Sequence, residues 1–90
     1  MDFEWDPNKN AANIAKHALD FEDAISIFEG PYIEHQIAGR DYREVRYLAF
    51  GIVHERVIAV VYTLREGRRR IISARRASPR EREAYRQAFA

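Results

Sequence analysis

The chain has 90 residues, 47% of them hydrophobic and 32% charged, which predicts a single globular domain spanning residues 1–90. It has no cysteine, so disulfides, thiolate metal sites and a cysteine nucleophile are excluded. No apolar run reaches the ~20 residues that cross a bilayer, and the acidic opening around Asp2, Glu4 and Asp6 lacks the basic start of a signal peptide. These features lead to the expectation of a cytoplasmic protein with no membrane contact.

The net charge of +1 conceals a polarity. Arg65 to Ala90 carry nine arginines and three acids, a net of +6, whereas the first 64 residues carry six basic groups and 11 acids, a net of −5. Arginine has a planar, permanently charged fork that pairs bidentately with phosphate. The basic end therefore suits phosphates or a very acidic partner. A solvated face with intrachain ion pairs has the same composition.

Phe3-Glu4-Trp5 alternates like a short strand. Asp6-Pro7 then reads as an N-cap followed by proline in the first turn, opening a helix from Asn8 to His17 with a weak stripe of Ala11, Ile14 and Ala15. Asp20 caps a second helix, with Phe21, Ala24, Ile25 and Phe28 at helical spacing, and Gly30-Pro31 ends it. From Tyr32 the period becomes two. The predicted strands are Tyr32 to Ile37, Val45 to Val53, Val57 to Arg65 and Arg69 to Arg75. The turns between them are Gly39-Arg40-Asp41, His54-Glu55-Arg56 and Glu66-Gly67. Val57 to Arg65 is apolar on both faces, as a central strand requires. Ser78-Pro79-Arg80-Glu81 is a capping box that starts a last helix carrying Tyr85 and Phe89. The expected architecture is α+β. An antiparallel four-strand meander is extended by the short N-terminal strand, with two helices on one face and a C-terminal helix of unassigned position.

Strict alternation along the last strand places Arg69, Ile71, Ser73 and Arg75 on one face and Arg70, Ile72, Ala74 and Arg76 on the other. Arg46, Tyr62 and Arg65 from neighbouring strands can join such a face, forming a floor for single-stranded RNA. Arg68, Arg69 and Arg70 equally suit a solvated turn. His17 closes a helix, where imidazolium complements the dipole; beside Lys16 it can also neutralise phosphate or move a proton. His35 and His54 have no partner at metal-ligand spacing, and a zinc site is not expected. Glu81 suits capping, and Tyr85 suits either a core anchor or a phosphate contact. The chain has no glycine-rich phosphate loop, G-x-S-x-G or HExxH. Any catalysis is therefore expected from arginine, histidine, acid and tyrosine side chains, with no metal and no bound cofactor.

Phe3-Glu4-Trp5-Asp6 with Lys9, Asn13, Lys16-His17 and Phe21-Glu22-Asp23-Ala24 resembles the start of the BrnT toxin family. Val60-Val61-Tyr62-Thr63, Arg70-Ile71-Ile72-Ser73-Ala74-Arg75-Arg76-Ala77, Glu81 and Tyr85 extend the likeness over nearly the whole chain. The resemblance implies a RelE-like fold, ribonuclease activity and a BrnA-type antitoxin with a ribbon-helix-helix part, through which alone operator DNA is met. One position departs: the family commonly has glycine after Lys-His, and this chain has Ala18.

RNA supplies its own nucleophile, the 2′-hydroxyl, so such a toxin has to align the backbone and stabilise developing charge. Arg46, Arg75 and Arg76 are the expected charge stabilisers, and His17 or Tyr62 the proton-transfer group. Lys16, Arg65, Arg70 and Tyr85 are the expected substrate contacts. The competing expectation is a non-catalytic module that binds an antitoxin or nucleic acid.

Overall fold

The computed structural model describes residues 2–37 and 44–89. The expected turn at Gly39-Arg40-Asp41 lies outside them. The elements are β1 (Phe3–Glu4), α1 (Pro7–His17), α2 (Phe21–Ala24), a 3-10 helix (Ile25–Glu29), β2 (Ile33–Ile37), β3 (Arg46–Val53), β4 (Arg56–Arg65), β5 (Arg68–Arg76) and α3 (Pro79–Ala88). One five-stranded sheet has the order β1-β5-β4-β3-β2. β4 is its centre, which accounts for apolar residues on both of that strand's faces. Among the described residues no helix is long and apolar enough to cross a membrane.

The four-strand meander forms antiparallel, but β1 joins it in parallel, with Phe3 opposite Arg69 and Glu4 opposite Arg70. The sheet is therefore mixed. The direction follows from the next element. β1 runs beside the start of β5, and α1 continues along the rest of it, so both accompany one strand in one direction.

α1 begins as its sequence dictates: the Asp6 carboxylate accepts the Asn8 N–H at 2.8 Å, and Pro7 fills the first turn. Asp20 caps α2 in the same way, accepting from the Glu22 amide at 2.9 Å and from Asn10 Nδ2 at 3.0 Å. Those two bonds, the backbone one first, hold its carboxyl below the usual range. The helix expected from Asp20 to Phe28 is broken. After Ala24 it tightens to 3-10 geometry, so the buried residues are Phe21, Ala24 and Ile27, three apart. Ile27 lies so close to β3 that a Cβ on Gly51 would meet its Cβ at 2.5 Å. Only glycine permits that approach.

α1, α2 and the 3-10 helix cover one sheet face, burying Phe21, Ile27, Val60 and Ile71. α3 covers part of the other, where Tyr85 packs with Phe50 and Ala59. Its capping box is complete. β5 breaks the strict alternation expected of it. Val61 pairs with Ser73 but Tyr62 pairs with Ile71, so Ile72 is an extra residue. The ladder now puts Arg69, Ile71, Ala74 and Arg76 towards the N-terminal helices and Arg70, Ser73 and Arg75 towards the opposite face. Arg69 is no solvated turn residue. Its guanidinium lies 4.0 Å from the Phe28 ring centroid and 5.3 Å from that of Tyr62, and Nη2 donates to the Tyr32 hydroxyl at 3.1 Å.

Candidate functional site

The side-chain amide of Asn13 fixes α1 against the edge of β5 that β1 leaves uncovered. Nδ2 donates to the Ala74 carbonyl at 2.8 Å and to the Leu19 carbonyl at 2.9 Å, while Oδ1 accepts the Ala74 N–H at 3.2 Å. A buried carboxamide thus stands in for the missing neighbouring strand. His17 lies one helical turn beyond Asn13, and Arg76 lies two residues beyond Ala74 on the same face. The Asn13–Ala74 lock brings the two side chains to one place. Ala18 completes the helix end with a left-handed backbone, φ 55° and ψ 36°, its N–H bonded to the Ile14 carbonyl at 2.8 Å. The turn that glycine favours is therefore made by alanine.

His17 and Arg76 line a cleft of about 410 Å³ together with His54 and Arg56, from the turn and first strand residue between β3 and β4. Leu19, Val53 and Ile58 supply its apolar lining, and among the described residues no carboxylate lines it. Among the described residues none of these four polar side chains forms an ion pair. His17 also borders a shallower depression with Lys9, Lys16 and Ser73. Lys16 is thus brought alongside the cleft. Two arginines, two imidazoles and a neighbouring lysine over an apolar floor are suited to a phosphate with a base or sugar attached.

The other expected site residues lie elsewhere. Arg75 points to the opposite face from Arg76, and its guanidinium gives two hydrogen bonds to Glu81 of α3, at 2.7 and 3.0 Å. That pair holds the Glu81 carboxyl down to about 2 and raises the Arg75 guanidinium above its ordinary value. Arg46, Arg65 and Arg70 gather at the far end of the sheet, where Arg46 and Arg70 flank Thr63 across the ladder. Glu44 binds Arg65 at 2.7 Å and lies 3.9 Å from Arg46, and Glu4 binds Arg70 at 2.8 Å. Tyr62 is 2% exposed and donates to Glu34 at 2.7 Å. Burial first, then that hydrogen bond, pushes its hydroxyl up to about 12. Tyr85 is a core anchor whose hydroxyl donates to the Pro31 carbonyl at 3.0 Å.

Among the described residues one long arginine face therefore does not form; Arg76 lies apart from Arg46, Arg65 and Arg70, and Arg75 faces α3. His54 and Arg56, where the sequence predicts only a turn, belong to the cleft. Their spacing from His17 and Arg76 carries no sequence signal, because three separate elements bring them together.

The fold is a small α+β domain, and its cleft carries cationic side chains suited to a phosphate. The family model for the BrnT ribonuclease toxin of type II toxin–antitoxin systems matches residues 5–81, and the chain belongs to that family. The matched span contains the whole cleft. No curated protein matches the chain significantly. The protein is accordingly the ribonuclease toxin of a type II pair, and an antitoxin is its partner.

Proposed function

We propose that the toxin is an endoribonuclease that cleaves RNA without a metal, in the cleft between the end of α1 and the β3–β4 turn. The attacking group is the substrate's own 2′-hydroxyl. His17 accepts its proton, and Arg76 and Arg56 hold the phosphate and the charge that grows on it. Arginine suits that task because it stays protonated, and it is unsuited to act as a base for the same reason. Lys16 holds a flanking phosphate. The products are a 2′,3′-cyclic or 3′-phosphate and a 5′-hydroxyl.

The observation that carries this reading is the meeting of His17 and Arg76 in a concave surface that, among the described residues, no carboxylate lines. Arg75 and Tyr62 take structural roles, supported by their bonds to Glu81 and Glu34. Arg46, Arg65 and Arg70 stand outside the chemical step, at the opposite end of the sheet. The antitoxin is of the BrnA type, with a ribbon-helix-helix part that makes the contact with operator DNA.

His17→Ala and Arg76→Ala, assayed on RNA with EDTA present, are each expected to lose ~10²–10³ in rate. Cleavage at the wild-type rate by both variants would overturn the assignment. Loss of wild-type cleavage in EDTA would overturn metal independence alone.

A further inference from the structure

The β3–β4 connection is a two-residue turn, with Val53 and Arg56 paired directly across it. Both central residues have left-handed backbones: φ is 50° at His54 and 66° at Glu55. Turns of this kind favour Asn-Gly or Asp-Gly, since a positive φ presses a Cβ against the backbone. The β4–β5 turn follows that preference at its second position, where Gly67 has φ 78°. The β3–β4 turn has no glycine. Its histidine lines the same cleft as His17. Glu66, at the equivalent first position of the β4–β5 turn, also has a positive φ of 52°, so the backbone alone does not mark His54; what marks it is a side chain that can move a proton, lining a cationic cleft.

We infer that His54 is a second catalytic residue, the general acid that protonates the 5′-oxygen leaving group. The inference rests on the cleft being the cleavage site. An in-line displacement places the attacking and leaving oxygens on opposite sides of phosphorus, so one proton-transfer group cannot serve both at once. His17 comes from α1 and His54 from the β3–β4 turn, two separate elements that both line the cleft. As the 2′-oxygen–phosphorus bond forms, the hydroxyl proton passes to His17. As the phosphorus–5′-oxygen bond breaks, the His54 proton passes to that oxygen, leaving a 2′,3′-cyclic phosphate and a 5′-hydroxyl. One proton is taken up and one released. The titratable and charged groups around His54 are Arg56 of β4, Arg76 of β5 and His17 of α1, with exposed Glu55 beside it in the turn. The arginines stay charged throughout and bind the phosphoryl oxygens.

The test compares an ordinary RNA oligonucleotide with one whose scissile 5′-bridging oxygen is sulfur. A thiolate leaves without being protonated, so the need for the acid disappears. His54→Asn is the variant of choice, because asparagine tolerates a left-handed backbone and an unchanged Tm reports an intact turn. It is expected to slow cleavage of ordinary RNA ~10²-fold or more and to cleave the sulfur-bridged substrate within a few-fold of wild type. His17→Ala is expected to be slow on both substrates. If His54→Asn cleaves ordinary RNA at the wild-type rate, or is equally slow on both substrates, the role of His54 is rejected while an inactive His17→Ala leaves the cleft standing. If His17→Ala and Arg76→Ala are themselves unimpaired, the cleft is not the site and both readings fall together.

Discussion

Arg75 and Glu81 are joined by two hydrogen bonds, 2.7 and 3.0 Å, that tie the end of β5 to the first turn of α3. The same carboxylate accepts the Ser78 N–H at 2.8 Å, so one side chain closes both the capping box and the interface. Consecutive residues thereby serve opposite faces: Arg75 holds α3, and Arg76 enters the cleft. Glu81 has its pKa lowered from 4.5 to about 2, mainly by the Arg75 bond. A depressed carboxyl contributes stability that is complete above the unfolded value and lost as pH falls through the folded one. Denaturant midpoints are therefore expected to fall between pH 4.5 and about 2, and Glu81→Gln to flatten that dependence. At pH 7, Arg75→Ala should cost about 1–2 kcal/mol, because the pair is charge-assisted but partly solvated. Its effect on cleavage should be small beside that of Arg76→Ala.

Asn13→Ala is expected to be among the more damaging substitutions in the chain. It removes three hydrogen bonds and leaves the Ala74 N–H and carbonyl facing a void at the sheet edge. Unpaired buried backbone groups put the loss at about 2–4 kcal/mol, measurable by chemical denaturation. Because Asn13 also sets the distance between α1 and β5, whatever folded protein remains should cleave RNA more slowly, through the displacement of His17 from Arg76.

Ala18→Gly should stabilise the protein. The left-handed backbone at φ 55° is a conformation that costs an L-residue with a Cβ about 1 kcal/mol. The substitution leaves the bond to the Ile14 carbonyl in place, so Tm should rise. A fall in Tm would mean that the alanine methyl makes compensating contacts.

Tyr62→Phe separates a structural hydroxyl from a catalytic one. With its pKa near 12 the hydroxyl stays protonated across the physiological range, and its proton is already committed to Glu34. The variant should lose about 1 kcal/mol of stability and keep its cleavage rate within a few-fold. A rate loss of ~10²-fold at unchanged Tm would return Tyr62 to the chemistry.

Asp6, Asp20 and Ser78 were legible as caps because a cap is a contact with an amide only a few residues away. The strands were legible for a similar reason: alternation needs only the next residue. The 3-10 break after Ala24 was not, since it depends on how closely Ile27 can approach Gly51, a residue 24 positions further on. Nor was the pairing direction of β1, which follows from α1 continuing along β5.

The arginines show the division most clearly. Their number, and their crowding into the last third of the chain, belong to the amino-acid order alone and already pointed to phosphate. Which of them share a surface was decided by one unpaired residue, Ile72, that shifts the register and reverses the facing of every β5 residue after it. The cleft is likewise a product of folding. His17, His54 and Arg76 come from three elements held by the Asn13–Ala74 bonds and a strained two-residue turn, and contacts between such distant residues leave no local pattern.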